Sequence, residues 1–201
     1  MDRRSNNIAI FQDSMDLIKA NQKLQQAVQF SIQNQKLYVP SQAIALPKPG
    51  KSPCKTIVSS KRSFEAASAY AKAGKRVCVL NFVSATNPGG GVTRGSTAQE
   101  ECLCRCSTLY PCLDTETMWH QFYQSHRKAG DPLYNDDLLY TPGIVVFKTD
   151  TSAPERMEEK DWYQVDIITC AAPNLRKKPS NAMNPSAGNA PVKISLSHAE
   201  N

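Results

Sequence analysis

Residues 77–91 carry the two patterns that decide the fold, and they read Val77-Cys78-Val79-Leu80-Asn81-Phe82-Val83-Ser84-Ala85-Thr86-Asn87-Pro88-Gly89-Gly90-Gly91. The first seven residues are apolar on both faces of an extended chain, which predicts a buried and central strand. Three consecutive glycines follow within a few residues. A glycine-rich turn directly after a buried strand is typical of the carboxyl edge of an open α/β sheet, where such folds bind their ligands.

The sequence on either side alternates predicted helices and strands. Apolar spacings of three and four predict two opening helices over 8–18 and 24–32, with Asn21 as the N-cap of the second. The remaining pattern predicts a short strand over 56–59, a helix over 63–73 that ends at Gly74, helices over 98–109 and 115–128, buried strands over 143–148 and 165–169, and a weak last strand over 192–196. This alternation predicts an α/β fold with a largely parallel or mixed sheet.

Three prolines and a glycine between residues 46 and 53 predict a loop that divides the chain. We therefore expect an N-terminal helical extension over 1–50 and a second domain over 51–201. About thirty mostly polar residues follow the strand at 165–169 and contain no convincing helix. Because such a strand usually needs a covering helix after it, we expect the second domain to be C-terminally incomplete.

Composition excludes several classes of protein. No apolar run approaches the roughly 20 residues of a membrane span, and the N-terminus lacks the apolar region of a secretory signal. Seven cysteines form a poor disulfide framework, so we expect reduced thiols and a cytoplasmic protein. The net charge is +6, and residues 51–112 hold nine basic and three acidic side chains. This excess would attract a phosphate-bearing ligand, but charge alone favours a solvated face. No basic run interleaved with aromatics indicates nucleic-acid binding.

The candidate binding and catalytic residues are the glycine triplet and the pair Glu100-Glu101. Glycine backbone leaves room for a phosphate to approach the chain closely, although a triplet also forms plain tight turns. Adjacent carboxylates in a desolvated cleft can include one with a raised pKa that acts as a general acid. Taken alone, the pair favours an acidic first turn of a helix. Together, the two features place a carboxylate ten residues after Gly91 beside a phosphate-sized loop.

The cysteines, histidines and aromatic residues give weaker evidence of a functional site. Cys102, Cys104 and Cys106 lie on every second residue, and only Cys102 and Cys106 share a helix face, so we expect buried structural thiols and no metal. The three histidines show no ligand spacing and are expected at the surface or partly packed. The aromatic residues over 119–123 are expected to pack their helix onto the sheet.

The run Asn87-Pro88-Gly89-Gly90-Gly91, followed after seven residues by Gln99-Glu100-Glu101, resembles the Gly-Gly-Gly…Gln-Glu-Glu motif of poly(ADP-ribose) glycohydrolases. The wider run over 80–110 is similar to the microbial-type branch of that family, and the resemblance extends from residue 5 to about residue 185. It implies a macrodomain-like three-layer α/β/α sandwich that binds ADP-ribose and hydrolyses ribose–ribose O-glycosidic bonds. It also implies ADP-ribose or its polymer on modified proteins as the partner, with no cofactor, no nucleic acid and no membrane, and we expect a monomer.

The resemblance also implies roles for individual residues. Glu101 would be the catalytic acid/base, and Glu100 would hold ribose hydroxyls at the scissile bond. Gln99 would help to position the loop, and Asn87 would contact the distal ribose. The glycines Gly89, Gly90 and Gly91 would wrap the diphosphate.

One part of the family pattern has no counterpart in this sequence. Family members continue with a strand and a Gly-Ala-Phe-Gly-Cys-Gly-like loop that closes over the diphosphate, and nothing similar occurs before Asn201. Two alternatives to a glycohydrolase therefore stay open: a module that binds ADP-ribose without turnover, and a truncated inactive remnant.

Overall fold

A computed structural model of the chain describes residues 2–42, 53–131, 133–171 and 173. Its helices are α1 (Arg3–Ala20), α2 (Gln22–Gln33), α3 (Ser63–Lys72), α4 (Gln99–Cys106), α5 (Leu109–Leu113), α6 (Glu116–Met118) and α7 (Gln124–Ala129). Its strands are β1 (Lys36–Tyr38), β2 (Cys78–Val83), β3 (Leu138–Val146) and β4 (Tyr163–Ala171). Single 3₁₀ turns cover Val92–Arg94 and Glu159–Asp161, and a π-helical turn over Trp119–Tyr123 joins α6 to α7.

The four strands form one sheet in the order β1-β3-β4-β2. β2 runs parallel to β4, and the other two pairs are antiparallel. The predicted α/β class with a mixed sheet is therefore confirmed. The central position predicted for β2 is wrong for the sheet that the described residues form, because β2 lies at its edge. Its two faces also differ, since Val79, Asn81 and Val83 are buried whereas Leu80 and Phe82 are 44% and 55% exposed.

The short strand predicted over 56–59 is also wrong. These residues are irregular, and Ile57 and Val58 are 60% and 92% exposed, so their β-branched side chains find no partner strand in the described structure. β1 was not predicted, because three residues give no periodicity to detect. The weak strand predicted over 192–196 lies outside the described residues.

Local signals placed most helix ends correctly. The Asn21 side chain accepts hydrogen bonds from the N–H groups of Lys23 and Leu24, as predicted for an N-cap. α3 is followed by Gly74 at φ +73°, a left-handed conformation that suits glycine. The helix predicted over 98–109 divides at Ser107, which is extended and forms an isolated bridge with Val146 of β3.

Helix α1 is fastened to distant parts of the chain by polar contacts. The Ser14 hydroxyl donates to the carbonyl of Arg105 at 2.6 Å, and the Asn7 amide donates to the carbonyl of Gly95 at 3.0 Å. The buried ammonium of Lys148 donates to the carbonyl of Ile10 at 2.8 Å and pairs with Asp13 at 2.7 Å. Helix α1 thus packs on α4 and beside Lys148, which follows β3, and the division of the chain at residue 50 stays a prediction.

The core contains the predicted buried thiols. Cys104 and Cys106 are fully buried as predicted, whereas Cys102 is only partly buried, so the prediction is wrong for that thiol. Cys112 is also fully buried, and burial raises its pKa to about 12. Phe122 and Tyr123 are buried in the same core, as predicted, whereas His126 is buried more completely than expected and contacts Phe122 edge to face. Within the described ranges, no three His, Cys, Asp or Glu side chains are grouped to hold a metal ion, and no helix is long and apolar enough to cross a bilayer.

Candidate active site

The loop between β2 and α4 forms the site, and its shape depends on two glycines in the left-handed region. Gly89 and Gly90 have φ values of +63° and +60°, which L-residues with side chains rarely adopt. The turn is closed by hydrogen bonds from the N–H of Gly90 to the carbonyl of Asn87 and from the N–H of Val92 to the carbonyl of Gly89. The chain then enters α4, whose first turn carries both glutamates.

The glycines also make room for the glutamates. A Cβ atom on Gly90 would lie 2.6 Å from Oε1 of Glu101 and 3.0 Å from Oε2 of Glu100. A Cβ on Gly89 would lie 2.6 Å from the ring of Tyr110, and a Cβ on Gly91 would lie 2.2 Å from Oγ of Ser96. A Cβ at any position of the triplet would therefore displace a neighbouring side chain, before any ligand is considered.

Glu101 is fixed by the backbone of the triplet. Its Oε1 accepts a hydrogen bond from the N–H of Gly91 at 2.8 Å, and the residue is only 6% exposed. Its second oxygen, Oε2, is buried without a hydrogen-bond partner among the described residues. Oε1 thus anchors the side chain, and Oε2 is available to a ligand.

Glu100 is held in the same way from the end of β2. Its Oε2 accepts from the N–H of Ser84 at 2.9 Å, and Oε1 has no partner in the described part of the chain. Burial raises the pKa of Glu100 to about 8, and the charge of Glu101 adds to this effect, whereas hydrogen bonds from the N–H groups of Ser84 and Gly89 oppose it. Glu100 therefore keeps its proton at neutral pH.

The N–H groups of the triplet face the protein. Gly89 and Gly91 direct theirs to the glutamates, and Gly90 directs its N–H to Asn87. From the glycine triplet in the sequence we expected a backbone open to a phosphate. The structure shows a backbone that first organises two carboxyl groups, and a ligand would approach a surface without Cβ atoms.

Gln99 joins α4 to the outer edge of β2. Its Oε1 accepts from the N–H of Phe82, and its Nε2 donates to the carbonyl of Leu80 and to Oγ of Ser63, all within 2.9 Å. The side-chain amide thereby pairs with β2 as a residue of a neighbouring strand would. Gln99 fixes the start of the helix, and with it the two glutamates that follow.

Asn87 is oriented by a residue that sequence analysis missed. Arg127 of α7 donates from Nη2 to Oδ1 of Asn87 at 2.6 Å and from Nε to the carbonyl of Thr86 at 2.7 Å. Its guanidinium lies 4.7 Å from the centroid of the Trp119 ring, a cation–π distance. A single arginine in a predicted helix gave no signal of this role, because the contact joins residues forty positions apart.

Tyr123 is a second residue that the sequence did not single out. Its hydroxyl is buried without a hydrogen-bond partner in the described ranges. Burial raises its pKa well above the usual value, and the charge of Glu100 adds to the rise. The sequence predicted only a packing role for this aromatic ring.

The fold and the site together define a macrodomain-like α/β protein with a paired-glutamate site behind a glycine loop. Residues 8–149, which contain the whole site, match the family model of the microbial-type poly(ADP-ribose) glycohydrolase (PARG) catalytic domain. The chain belongs to this family. A comparison with curated protein sequences finds no match.

Solved structures support the same assignment. The chain is 31% identical to poly(ADP-ribose) glycohydrolase from Thermomonospora curvata, with a TM-score of 0.71 over 85% of this chain and 65% of that one. It is 30% identical to the enzyme from Deinococcus radiodurans in complex with ADP-ribose, with a TM-score of 0.62 over 74% of this chain and 58% of that one. The chain therefore spans less than two thirds of the length of these solved proteins.

Proposed function

We propose that this protein is a poly(ADP-ribose) glycohydrolase that hydrolyses the ribose–ribose O-glycosidic bonds of ADP-ribose polymers. The observation that carries the proposal is the buried pair Glu100 and Glu101, held against the glycine triplet by backbone N–H groups. Family membership supports it, as does the ADP-ribose complex of the Deinococcus radiodurans relative.

Glu101 is assigned as the general acid and base. Cleavage of a ribosyl bond builds positive charge on the anomeric carbon, and the departing oxygen must gain a proton. A carboxyl proton passes to the leaving 2′-oxygen as the bond to the anomeric carbon breaks, which gives an oxocarbenium-like ribose and a free hydroxyl. The carboxylate then takes a proton from the water that attacks the same carbon. Because Oε1 is bound to Gly91, Oε2 is the oxygen that performs both transfers.

Glu100 is assigned to hold ribose hydroxyls at the scissile bond. Its free oxygen, Oε1, is the atom available for this contact. Burial raises the pKa of Glu100 to about 8, so this side chain can also donate a hydrogen bond to a ribose oxygen at neutral pH. This differs from a two-carboxylate glycosidase in which the second group attacks the sugar, because Glu100 positions the substrate and does not become a nucleophile.

The loop residues supply the binding surface. Gly89, Gly90 and Gly91 are assigned to the diphosphate, which can lie against backbone that has no Cβ atoms. Asn87, held by Arg127, is assigned to the distal ribose. Gln99 acts indirectly by fixing the start of α4.

We further propose that the protein acts as a cytoplasmic monomer on ADP-ribose polymers attached to modified proteins, without nucleic acid as a partner. Seven free cysteines, three of them fully buried, fit a reducing compartment.

A second candidate function is a module that binds ADP-ribose without cleaving it. Binding needs the glycine loop and Asn87, which Arg127 holds in place, whereas turnover also needs proton transfer by Glu101.

One experiment separates the two functions. Purified chain is incubated with poly(ADP-ribose), free ADP-ribose is quantified by chromatography, and thermal unfolding is recorded with and without ADP-ribose. Release of ADP-ribose supports the glycohydrolase. A rise in the unfolding temperature without release identifies a binding module, and the absence of both effects leaves an inactive remnant of the family.

A further inference from the structure

A second polar pocket lies beside the active-site helix and is distinct from the glutamate pair. Its lining includes Arg3 of α1, Arg62 before α3, and Thr97, Cys102, Arg105 and Thr151. It is connected to the glycine loop through Ser96, whose carbonyl accepts a hydrogen bond from Arg105 and whose hydroxyl packs beside Gly91. None of the active-site residues assigned above lines this pocket.

The charge of the pocket is unbalanced. Three of its nine lining residues are arginines, and none is an aspartate or glutamate. The carboxylate of Asp150 lies outside the lining, 3.6 Å from Nη1 of Arg62, and its other oxygen accepts from the N–H of Phe64. Glu65 also lies close, since its Oε2 accepts the backbone N–H of Arg62 at 3.3 Å, and two carboxylates do not neutralise three guanidinium groups.

Arg105 is the buried member of the set. It is only 3% exposed, and its Nη1 donates to the carbonyl of Ser96 at 2.7 Å. Its Nε has no hydrogen-bond partner in the described part of the chain. A buried guanidinium with an unused donor is costly unless an acceptor reaches it.

The acceptor that two of these arginines share is weak. Nη2 of Arg105 lies 3.3 Å from Sγ of Cys102, and Nη1 of Arg62 lies 3.7 Å from the same sulfur. Sulfur is a poor hydrogen-bond acceptor, and two like charges that converge on it repel each other. An oxyanion would supply both the negative charge and the several lone pairs that the donors lack.

We propose that this pocket is an oxyanion site that binds a phosphate group, separate from the diphosphate position at the glycine loop. Arg62 and Arg105 are its central ligands, and Arg3, the first residue of α1, contributes a third guanidinium to the lining. The phosphate comes either from a free inorganic ion or from an ADP-ribose ligand that reaches the pocket. The free-ion case is independent of the proposed enzyme activity, whereas the second case rests on it.

The test is calorimetric titration of the full chain with inorganic phosphate, at an ionic strength kept constant with chloride, and separately with ADP-ribose. Arg62→Gln removes a central charge at a side chain that is 40% exposed, and Arg4→Gln removes an equal charge at the neighbour of Arg3, outside the pocket. We expect the parent and Arg4→Gln to bind alike, and Arg62→Gln to bind about tenfold more weakly, the effect of one lost charged hydrogen bond.

The two ligands identify the source of the phosphate. Weaker binding of inorganic phosphate alone assigns the pocket to a free ion, and weaker binding of ADP-ribose assigns it to a phosphate of that ligand. The proposal is overturned if a folded Arg62→Gln binds both ligands like the parent, or if the parent binds neither. Should circular dichroism show that Arg62→Gln does not fold, Arg3→Gln, at an exposed position, provides the same comparison.

Discussion

Replacing Glu100 with Gln should change how the stability of the protein depends on pH. Burial raises the pKa of Glu100 from 4.5 to about 8. The folded state therefore keeps this proton up to about pH 8, whereas the unfolded chain releases it near pH 4.5. Since the folded state binds more protons within this window, the free energy of unfolding falls as the pH rises through it.

The magnitude follows from the pKa. Each pKa unit corresponds to about 1.4 kcal/mol, so Glu100 lowers the free energy of unfolding by about 5 kcal/mol between pH 4.5 and pH 8. Glutamine at this position still accepts the N–H of Ser84 but carries no titratable proton. The variant should therefore gain stability relative to the parent by about 1 kcal/mol for each pH unit between 5 and 8.

The assay is urea unfolding followed by circular dichroism at pH 5, 6, 7 and 8. Glu155→Gln is the matched control, because Glu155 is exposed and its replacement should leave the pH dependence of the parent intact. If the difference in unfolding free energy between parent and Glu100→Gln stays constant from pH 5 to pH 8, Glu100 does not hold a proton in the folded protein, and the reasoning fails.

Three further predictions concern the proposed activity. Glu101→Gln keeps an oxygen for the N–H of Gly91 but loses the transferable proton, so turnover of polymer should fall by about 10²–10⁴-fold while ADP-ribose binding is retained. Glu100→Gln should lose less turnover. A Glu101→Gln protein that releases ADP-ribose at the parent rate contradicts the assignment. Gly90→Ala places a Cβ 2.6 Å from Glu101 Oε1 at φ +60°. The free energy of unfolding should therefore fall by at least about 1 kcal/mol, and activity should fall because the carboxyl groups shift. Parent-like stability and activity would show that the loop adapts. Arg127→Gln removes the charged hydrogen bond to Asn87 and should weaken ADP-ribose binding by about tenfold or more in calorimetry, with Lys128→Gln as the control that should bind normally.

Much of the site was predictable because its parts lie close together in the sequence. The glycine triplet, Gln99 and the glutamates occupy thirteen residues, and a strand, a turn and a helix start each carry local signals. The contact between the triplet and Glu101 spans only ten residues. Local pattern therefore gave both the elements and their order, but it did not show that the N–H groups of the triplet would bind the glutamates.

The failures involve contacts between distant residues. The edge position of β2 depends on pairing with β4, almost ninety residues later, and Ile57 and Val58 have a strand-like pattern without a partner strand. Arg127 reaches Asn87 across forty residues. Hydrophobic pattern predicts which residues prefer an extended chain, but it does not specify which neighbour they find.

The fastening of α1 has a consequence for how the protein assembles over time. Its hydrogen bonds to Gly95, Arg105 and Lys148 close loops of 88, 91 and 138 residues. Contacts between such distant positions form late and slow the folding of a domain. During synthesis the first helix leaves the ribosome long before any of these three partners exists, and only α2 is then available to pack against it. Helix α4, which carries Glu100 and Glu101, can dock on α1 only after Arg105 has been made, and the contact with Lys148 follows later still.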